Sequence, residues 1–213
     1  MSAVLNAAQI VRDVIVLGAS AGGFRPLMEL FAGLTVDLPA TVALVIHRSP
    51  LHEGKLSAVL GRRSLLPVIE PRDGQRLEQG TIYVAPRDRH LLIDGHRLRL
   101  TGGPKEHFTR PAVDPLFTSA AASVGARAVG VVLSGTGDDG VSGLIRIKAA
   151  GGLSLVQYPG EAAYATMPKN ALMGDTVDAA LRINELIEAL PRLARGEPFT
   201  LQVSAPRRPA RPA

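Results

Sequence analysis

The chain has 213 residues, a formal net charge of +5, 46% hydrophobic and 20% charged residues, enough apolar material for one domain with its own core. It has no cysteine, which excludes disulfides, cysteine-bound zinc, iron–sulfur clusters and thiol nucleophiles. No run reaches the ~18 apolar residues of a membrane span, and the 4% aromatic content leaves little to stack on nucleic-acid bases.

In chain order, the start lacks a basic opening, and Arg12 and Asp13 interrupt its apolar character, so no secretory signal is read and the cytoplasm is expected. Residues 1–12 read as an N-terminal extension and 13–195 as the domain. Val14-Ile15-Val16-Leu17 is a β-branched strand ending at Gly18, and Phe24 to Gly33 follows as a helix with Pro26 tolerated in its first turn. Thr41–Ile46 is a second strand and Lys55–Arg62 a helix, with Pro67–Glu70 and Thr81–Ala85 as further strands. Leu91–Ile93 and Arg97–Leu100 read as a hairpin turning at Asp94-Gly95. Then come a helix Val113–Val124, a strand Ala128–Leu133, a helix Val141–Ala150 and a last clear strand Leu153–Gln157. A terminal helix is expected over Leu181–Ala194, with Pro191 arguing for a kink or an earlier end. Residues 196–213 are rich in proline, hold Arg207, Arg208 and Arg211 against Glu197, and read as a disordered tail of net charge +2, leaving the body at +3.

Nearly all-apolar strands alternating with helices predict a doubly wound, mostly parallel α/β sheet with helices on both faces and an antiparallel hairpin insertion. In such sheets ligands bind beyond the carboxyl ends of the strands, and three of these ends carry chemistry. The first runs into Gly18-Ala19-Ser20-Ala21-Gly22-Gly23, a G-x-S-x-G turn that would present a serine beside a helix N-terminus. The second ends in His47, and the strand at 128–133 runs into Ser134-Gly135-Thr136-Gly137-Asp138-Asp139-Gly140. A serine, a histidine and a carboxylate on one edge are the set that activates a hydroxyl and steadies the imidazolium. Each has a bland alternative: a phosphate-binding glycine loop, a buried strand-end histidine, and a turn or helix cap for at least one aspartate. The five histidines show no metal-binding spacing.

Two families can be weighed on the residues. An α/β-hydrolase places its histidine last, whereas here no histidine follows His107. A dinucleotide-binding dehydrogenase is the stronger rival, yet Tyr83, Tyr158 and Tyr164 are followed four residues on by Arg87, Ala162 and Pro168, so no Tyr-x-x-x-Lys occurs. Ser20 also stands where the second glycine of G-x-G-x-x-G would be.

The blocks Val16–Gly23, His47, Tyr83-Val84-Ala85-Pro86, Arg89-His90-Leu91-Leu92, Arg110–Phe117, Val131–Gly140 and Met167-Pro168-Lys169 resemble the chemotaxis protein-glutamate methylesterase (CheB) catalytic domain, in its order and over roughly residues 12 to 195. The resemblance implies Ser20 as nucleophile, His47 as base and Asp139, rather than Asp138, as the orienting carboxylate. It implies the main-chain N–H groups of Thr136 and Ala21 as oxyanion donors, with Thr136 where the family usually has methionine and Ala21 where it usually has threonine. Arg110 matches a family arginine beside the site, to contact substrate or to form a surface salt bridge, and His90 and His96 are expected to be structural. The implied activity is hydrolysis of glutamate γ-methyl esters on the cytoplasmic helices of a chemoreceptor, with glutamine deamidation as related chemistry. No metal or organic cofactor, no nucleic acid and no membrane insertion are implied. The family's N-terminal receiver domain has no counterpart in the dozen residues before the first strand, which suggests a stand-alone esterase domain or a fragment, with a separate response regulator as a possible partner. The alternative class is an esterase-like scaffold without catalysis.

Overall fold

The structure, a computed structural model, describes residues 10–48, 56–174 and 177–197. Most of the extension at 1–12, Lys55 at the head of the second helix, and the tail from 198 onward lie outside the described residues.

The first strand, β1 (Val14–Ala19), leads into helix α1 (Phe24–Gly33), and β2 (Thr41–Ile46) into α2 (Leu56–Gly61). Pro26 is the third residue of α1, where its missing N–H is one that a helix start leaves unpaired anyway. Strands β3 (Val68–Ile69) and β4 (Thr81–Val84) complete one half of the sheet. The hairpin β5 (His90–Asp94) and β6 (Arg97–Thr101) forms its own two-stranded sheet. Asp94 pairs with Arg97, so the tight turn is Gly95-His96, one residue later than expected, with Gly95 at φ +58°. Helix α3 (Val113–Val124) carries the hairpin: the Ser119 hydroxyl accepts from the Ile93 N–H at 3.0 Å, and Ser123 donates to the Ile93 carbonyl at 2.8 Å.

The other half consists of β7 (Ala128–Val132), α4 (Val141–Ala149) and β8 (Leu153–Gln157), then α5 (Thr166–Gly174), β9 (Ala179–Leu181) and α6 (Ile183–Ala194). Three expectations change here. The Leu153–Gln157 strand is not the last, because Ala179–Leu181 pairs parallel with it and takes Leu181 out of the terminal helix. Helix α5, interrupted in composition by Pro168 and Asn170, was not anticipated. Helix α6 neither stops nor breaks before Pro191: it continues to Ala194, with Leu186, Leu190, Pro191 and Leu193 buried. Burial of that face outweighs the single main-chain bond that proline removes.

The seven-stranded sheet is parallel throughout, in the order β3-β4-β2-β1-β7-β8-β9. Its strands are apolar on both faces because each face packs a separate core. Ile15 and Leu17 of β1 meet Leu27, Leu30 and Phe31 of α1 and Leu186 and Leu190 of α6. Val14 and Val16 face the other core, with Leu116 and Phe117 of α3, Leu144 and Ile147 of α4, and Leu91 and Ile93 of the hairpin. The winding direction reverses between β1 and β7, and the crevice opened by such a reversal is where this architecture holds ligands.

Candidate active site

Strand register brings the first two groups together. Ala19 pairs with Ile46, so the next residues, Ser20 and His47, leave the sheet side by side, and the His47 N–H still bonds the Ala19 carbonyl at 3.0 Å. The Ser20 N–H donates to the Ser134 carbonyl at 3.0 Å, which ties the turn after β1 to the loop after β7. Gly135 in that loop sits so close to the serine that a Cβ there would lie 2.9 Å from the Ser20 Cβ and 2.0 Å from the Met167 sulfur, which leaves room for glycine alone.

The Ser20 hydroxyl lies 3.1 Å from His47 Nδ1, and His47 Nε2 lies 2.7 Å from Asp139 Oδ2. A carboxylate only accepts, so the ring hydrogen sits on Nε2, and the Nδ1 lone pair receives the serine O–H. Asp139 is 2% exposed and is held by more than the imidazole. The N–H groups of Val113 and Asp114, the first two residues of α3, donate to its Oδ2 and Oδ1 at 2.7 and 2.8 Å. Burial alone would raise its pKa, but the bonds from His47, Val113 and Asp114 prevail and hold it below the ordinary carboxylate value. Gly18 permits this approach: a Cβ on β1 at that point would come 2.4 Å from Val113 Cγ1.

Neither aspartate caps α4, whose N-cap is Gly140 at φ +99°. The capping is crosswise. Asp139, just before α4, serves the start of α3, while Asp114 of α3 accepts from the Gly140 and Gly143 N–H groups at 3.1 and 2.7 Å. Two buried anions at two helix N-termini thus lock α3 to α4 under the site. Burial pushes the Asp114 carboxyl up, and the Gly143 N–H and His107 draw it back only in part.

Asp138 faces outward, its side chain 70% exposed, and meets His107 Nδ1 at 3.1 Å. The Arg110 guanidinium binds Asp88 at 2.8 Å and the carbonyls of Gly102 and Gly103 at 2.9 and 2.7 Å. His90 is buried, donating from Nε2 to the Pro104 carbonyl at 2.8 Å and accepting the Ala112 N–H at Nδ1 at 3.2 Å, while His96 occupies the exposed hairpin turn. Ala21 follows Ser20 in one loop and Thr136 follows Gly135 in the other, and among the described residues neither main-chain N–H has an acceptor. Ser134 connects the two loops: its hydroxyl donates to the Ala21 carbonyl at 2.8 Å and accepts the Tyr164 N–H at 3.0 Å.

Several contributors escape sequence reading. Ser134, Asp114, His107 and Thr109, whose hydroxyl lies 3.4 Å from His47 Nε2, become part of the site only through contacts distant in the chain. Asp114 in the first turn of a predicted helix was the one available signal, since carboxylates favour helix starts. His107, Asp114 and Asp139 bring ligand atoms within 4.8 Å of one another, a spacing that could hold a cation. Their carboxylates are already taken up by four main-chain N–H groups and two imidazoles, so the cluster is a hydrogen-bonded layer and not an open coordination site.

A doubly wound parallel sheet with a serine hydroxyl, an imidazole and a buried carboxylate in one hydrogen-bonded line at its switch point has the layout of a serine hydrolase, in the chain order serine, histidine, aspartate. Residues 15–190 match the CheB methylesterase family, and the chain belongs to that family. It is 40% identical over 183 residues to protein-glutamate methylesterase/protein-glutamine glutaminase 2 of Anaeromyxobacter dehalogenans, over 86% of this chain and 54% of that protein. Identity is 33% to the protein-glutamate methylesterase/protein-glutamine glutaminase of Pyrococcus horikoshii, over 84% of this chain and 50% of that protein. The chain therefore spans about half the length of these curated relatives. The crystal structure of the Thermotoga maritima CheB methylesterase catalytic domain superposes with a TM-score of 0.81 at 29% identity, over 86% of this chain and 100% of that one. No helix among the described residues is long and apolar enough to cross a membrane.

Proposed function

We propose that this chain is a serine esterase that hydrolyses glutamate γ-methyl esters on the cytoplasmic helices of a chemoreceptor, releasing methanol, and that it deamidates receptor glutamines by the same chemistry. The observation that carries this reading is the line from Ser20 Oγ to His47 Nδ1 at 3.1 Å and from His47 Nε2 to Asp139 Oδ2 at 2.7 Å. The names of the relatives support the substrate class.

Ser20 Oγ attacks the ester carbonyl carbon while His47 Nδ1 takes its proton. Negative charge develops on the carbonyl oxygen, and the N–H groups of Ala21 and Thr136 receive it. When the tetrahedral intermediate collapses, the C–O bond to the methoxy oxygen breaks and Nδ1–H gives its proton to that oxygen, so that methanol departs and the ring is neutral again. Water then attacks the acyl-enzyme, giving its proton to Nδ1, and the acid product leaves with Ser20 restored. Asp139 keeps the ring hydrogen on Nε2 throughout and steadies the imidazolium. With glutamine the leaving group is ammonia. The substrate is a cytoplasmic helix of the receptor, and control by a separate response regulator completes the proposed partners.

The test is methanol release from methylated receptor, comparing the wild type with Ser20→Ala, together with labelling by a serine-directed phosphonate. Release and labelling by the wild type, both lost in a folded Ser20→Ala protein, support the reading. A folded Ser20→Ala protein as active as the wild type rejects it, and so does a wild type that binds receptor without release or labelling, which is the scaffold outcome.

A further inference from the structure

Beside the site lies a turn whose shape is unusual for its residues. Glu106 and Thr109 exchange both main-chain hydrogen bonds, at 3.1 and 2.8 Å, around a two-residue tip. The tip residues, His107 and Phe108, have φ of +48° and +61°. Left-handed backbone at two consecutive residues normally calls for glycine or asparagine, and each side chain held there carries strain. Apolar packing does not hold it, because Phe108 is 96% exposed. What grips the turn is the His107 ring. Its Nε2 lies 2.8 Å from Asp114 Oδ2 and 3.8 Å from Asp139 Oδ1, and its Nδ1 lies 3.1 Å from Asp138 Oδ1. The turn also delivers Thr109, whose hydroxyl donates to the Glu106 carbonyl at 3.1 Å and sits 3.4 Å from His47 Nε2, where its oxygen is a second acceptor beside Asp139.

We propose that His107 is a positioning residue for the esterase reaction: its doubly hydrogen-bonded ring, bridging Asp114 and Asp138, clamps the 106–109 turn and so keeps Thr109 against the His47–Asp139 pair. The inference rests on the esterase reading above. Ionised carboxylates only accept, so both ring nitrogens must donate, and the clamp is complete when His107 is an imidazolium. The groups facing it are Asp114 from α3 and Asp138 and Asp139 from the β7–α4 loop, with Glu106 beside it in the turn and His47 beyond Asp139. Burial disfavours its charge, but the bond to Asp114 and the fields of Asp139, Asp114 and Asp138 outweigh burial and raise the pKa above the ordinary 6.5. A raised folded-state value means that the clamp is intact below pH 6.5 and is lost as pH rises through the folded pKa. The loss of the clamp should appear as a falling alkaline limb in the rate of methanol release.

The experiment measures kcat and KM for methanol release against pH for the full chain and for His107→Asn, with a ¹⁵N NMR titration of the wild-type His107 ring. Asparagine tolerates left-handed backbone, so this variant deletes the clamp with little change to the turn's intrinsic preference. The expected result is a kcat lowered about 3- to 10-fold at neutral pH with KM little changed, and disappearance of an alkaline limb whose midpoint matches the His107 titration. The proposal is overturned if His107→Asn keeps the wild-type kcat and alkaline limb, or if NMR finds one ring nitrogen unprotonated below pH 6.5, the signature of a neutral ring beside a protonated Asp114. A wild type that releases no methanol would instead refute the esterase reading, while the NMR titration still decides whether the clamp exists.

Discussion

Replacing Asp139 by asparagine strikes a carboxylate whose oxygens are fully engaged. Oδ2 accepts from His47 Nε2 and the Val113 N–H, both at 2.7 Å, and Oδ1 accepts the Asp114 N–H at 2.8 Å. An amide has one oxygen and one donor group. With its NH2 in the Oδ1 position it confronts the Asp114 N–H, donor against donor, in a site that water does not reach. In the Oδ2 position it confronts the Val113 N–H and forces the His47 hydrogen onto Nδ1, where the ring can no longer accept the Ser20 proton. Either arrangement strands a buried N–H, at a cost of about 1–3 kcal/mol. The first loses the negative charge beside the imidazolium and the second also loses the tautomer, so kcat should fall about 10²- to 10⁴-fold. Asp138→Asn is the internal control: that carboxylate is exposed, and an amide oxygen can still accept from His107, so kcat should stay within about threefold of wild type. Methanol release gives the rates and urea unfolding gives the stability. Equal losses from the two substitutions, or an unchanged urea midpoint in Asp139→Asn, would refute the reasoning.

Ser20→Ala should lower methanol release by about 10⁴- to 10⁶-fold while its far-UV circular dichroism and urea midpoint stay near wild type. Gly18→Ala drives a Cβ to 2.4 Å from Val113 Cγ1, and urea unfolding should register a loss of about 1–3 kcal/mol. Activity should fall with it, because the displaced Val113 carries one of the N–H groups on Asp139. Ser134 is fully buried, and Ser134→Ala removes both its bond to the Ala21 carbonyl and the acceptor of the Tyr164 N–H, so urea unfolding should register a loss of about 1–3 kcal/mol. Asp139 has a folded-state pKa below 3.8, so its stabilising contribution is present above that value and lost as pH falls through the folded one. The urea midpoint of the wild type should therefore decline more steeply in acid than that of Asp139→Asn.

The alternation of apolar strands and amphipathic helices was legible because it is a local property: a strand buried on both faces must be apolar along nearly its whole length, as Val14–Leu17, Val42–Ile46 and Ala128–Leu133 are. The strand ends and their chemistry followed, since Ser20, His47 and the Asp138-Asp139 pair each stand where an apolar run meets a turn. Weakly patterned elements stayed hidden. Ala179–Leu181 is too short to show a period, and Thr166–Gly174 holds Pro168 and Asn170 where a helix prefers neither. Pro191 misled for a related reason: a local rule about a missing N–H cannot weigh the apolar face that α6 buries.

By itself, then, the sequence determined the layered α/β class, the order of its strands along the chain, and a short set of residues able to activate a hydroxyl. Only the tertiary structure decided that Asp114 and Asp139 cap each other's helices and that His107 reaches back into the same layer. Patterning along the chain reports what is buried. Hydrogen-bond partners tens of residues apart depend on strand register and helix docking, which exist only after the two halves of the sheet have closed around β1.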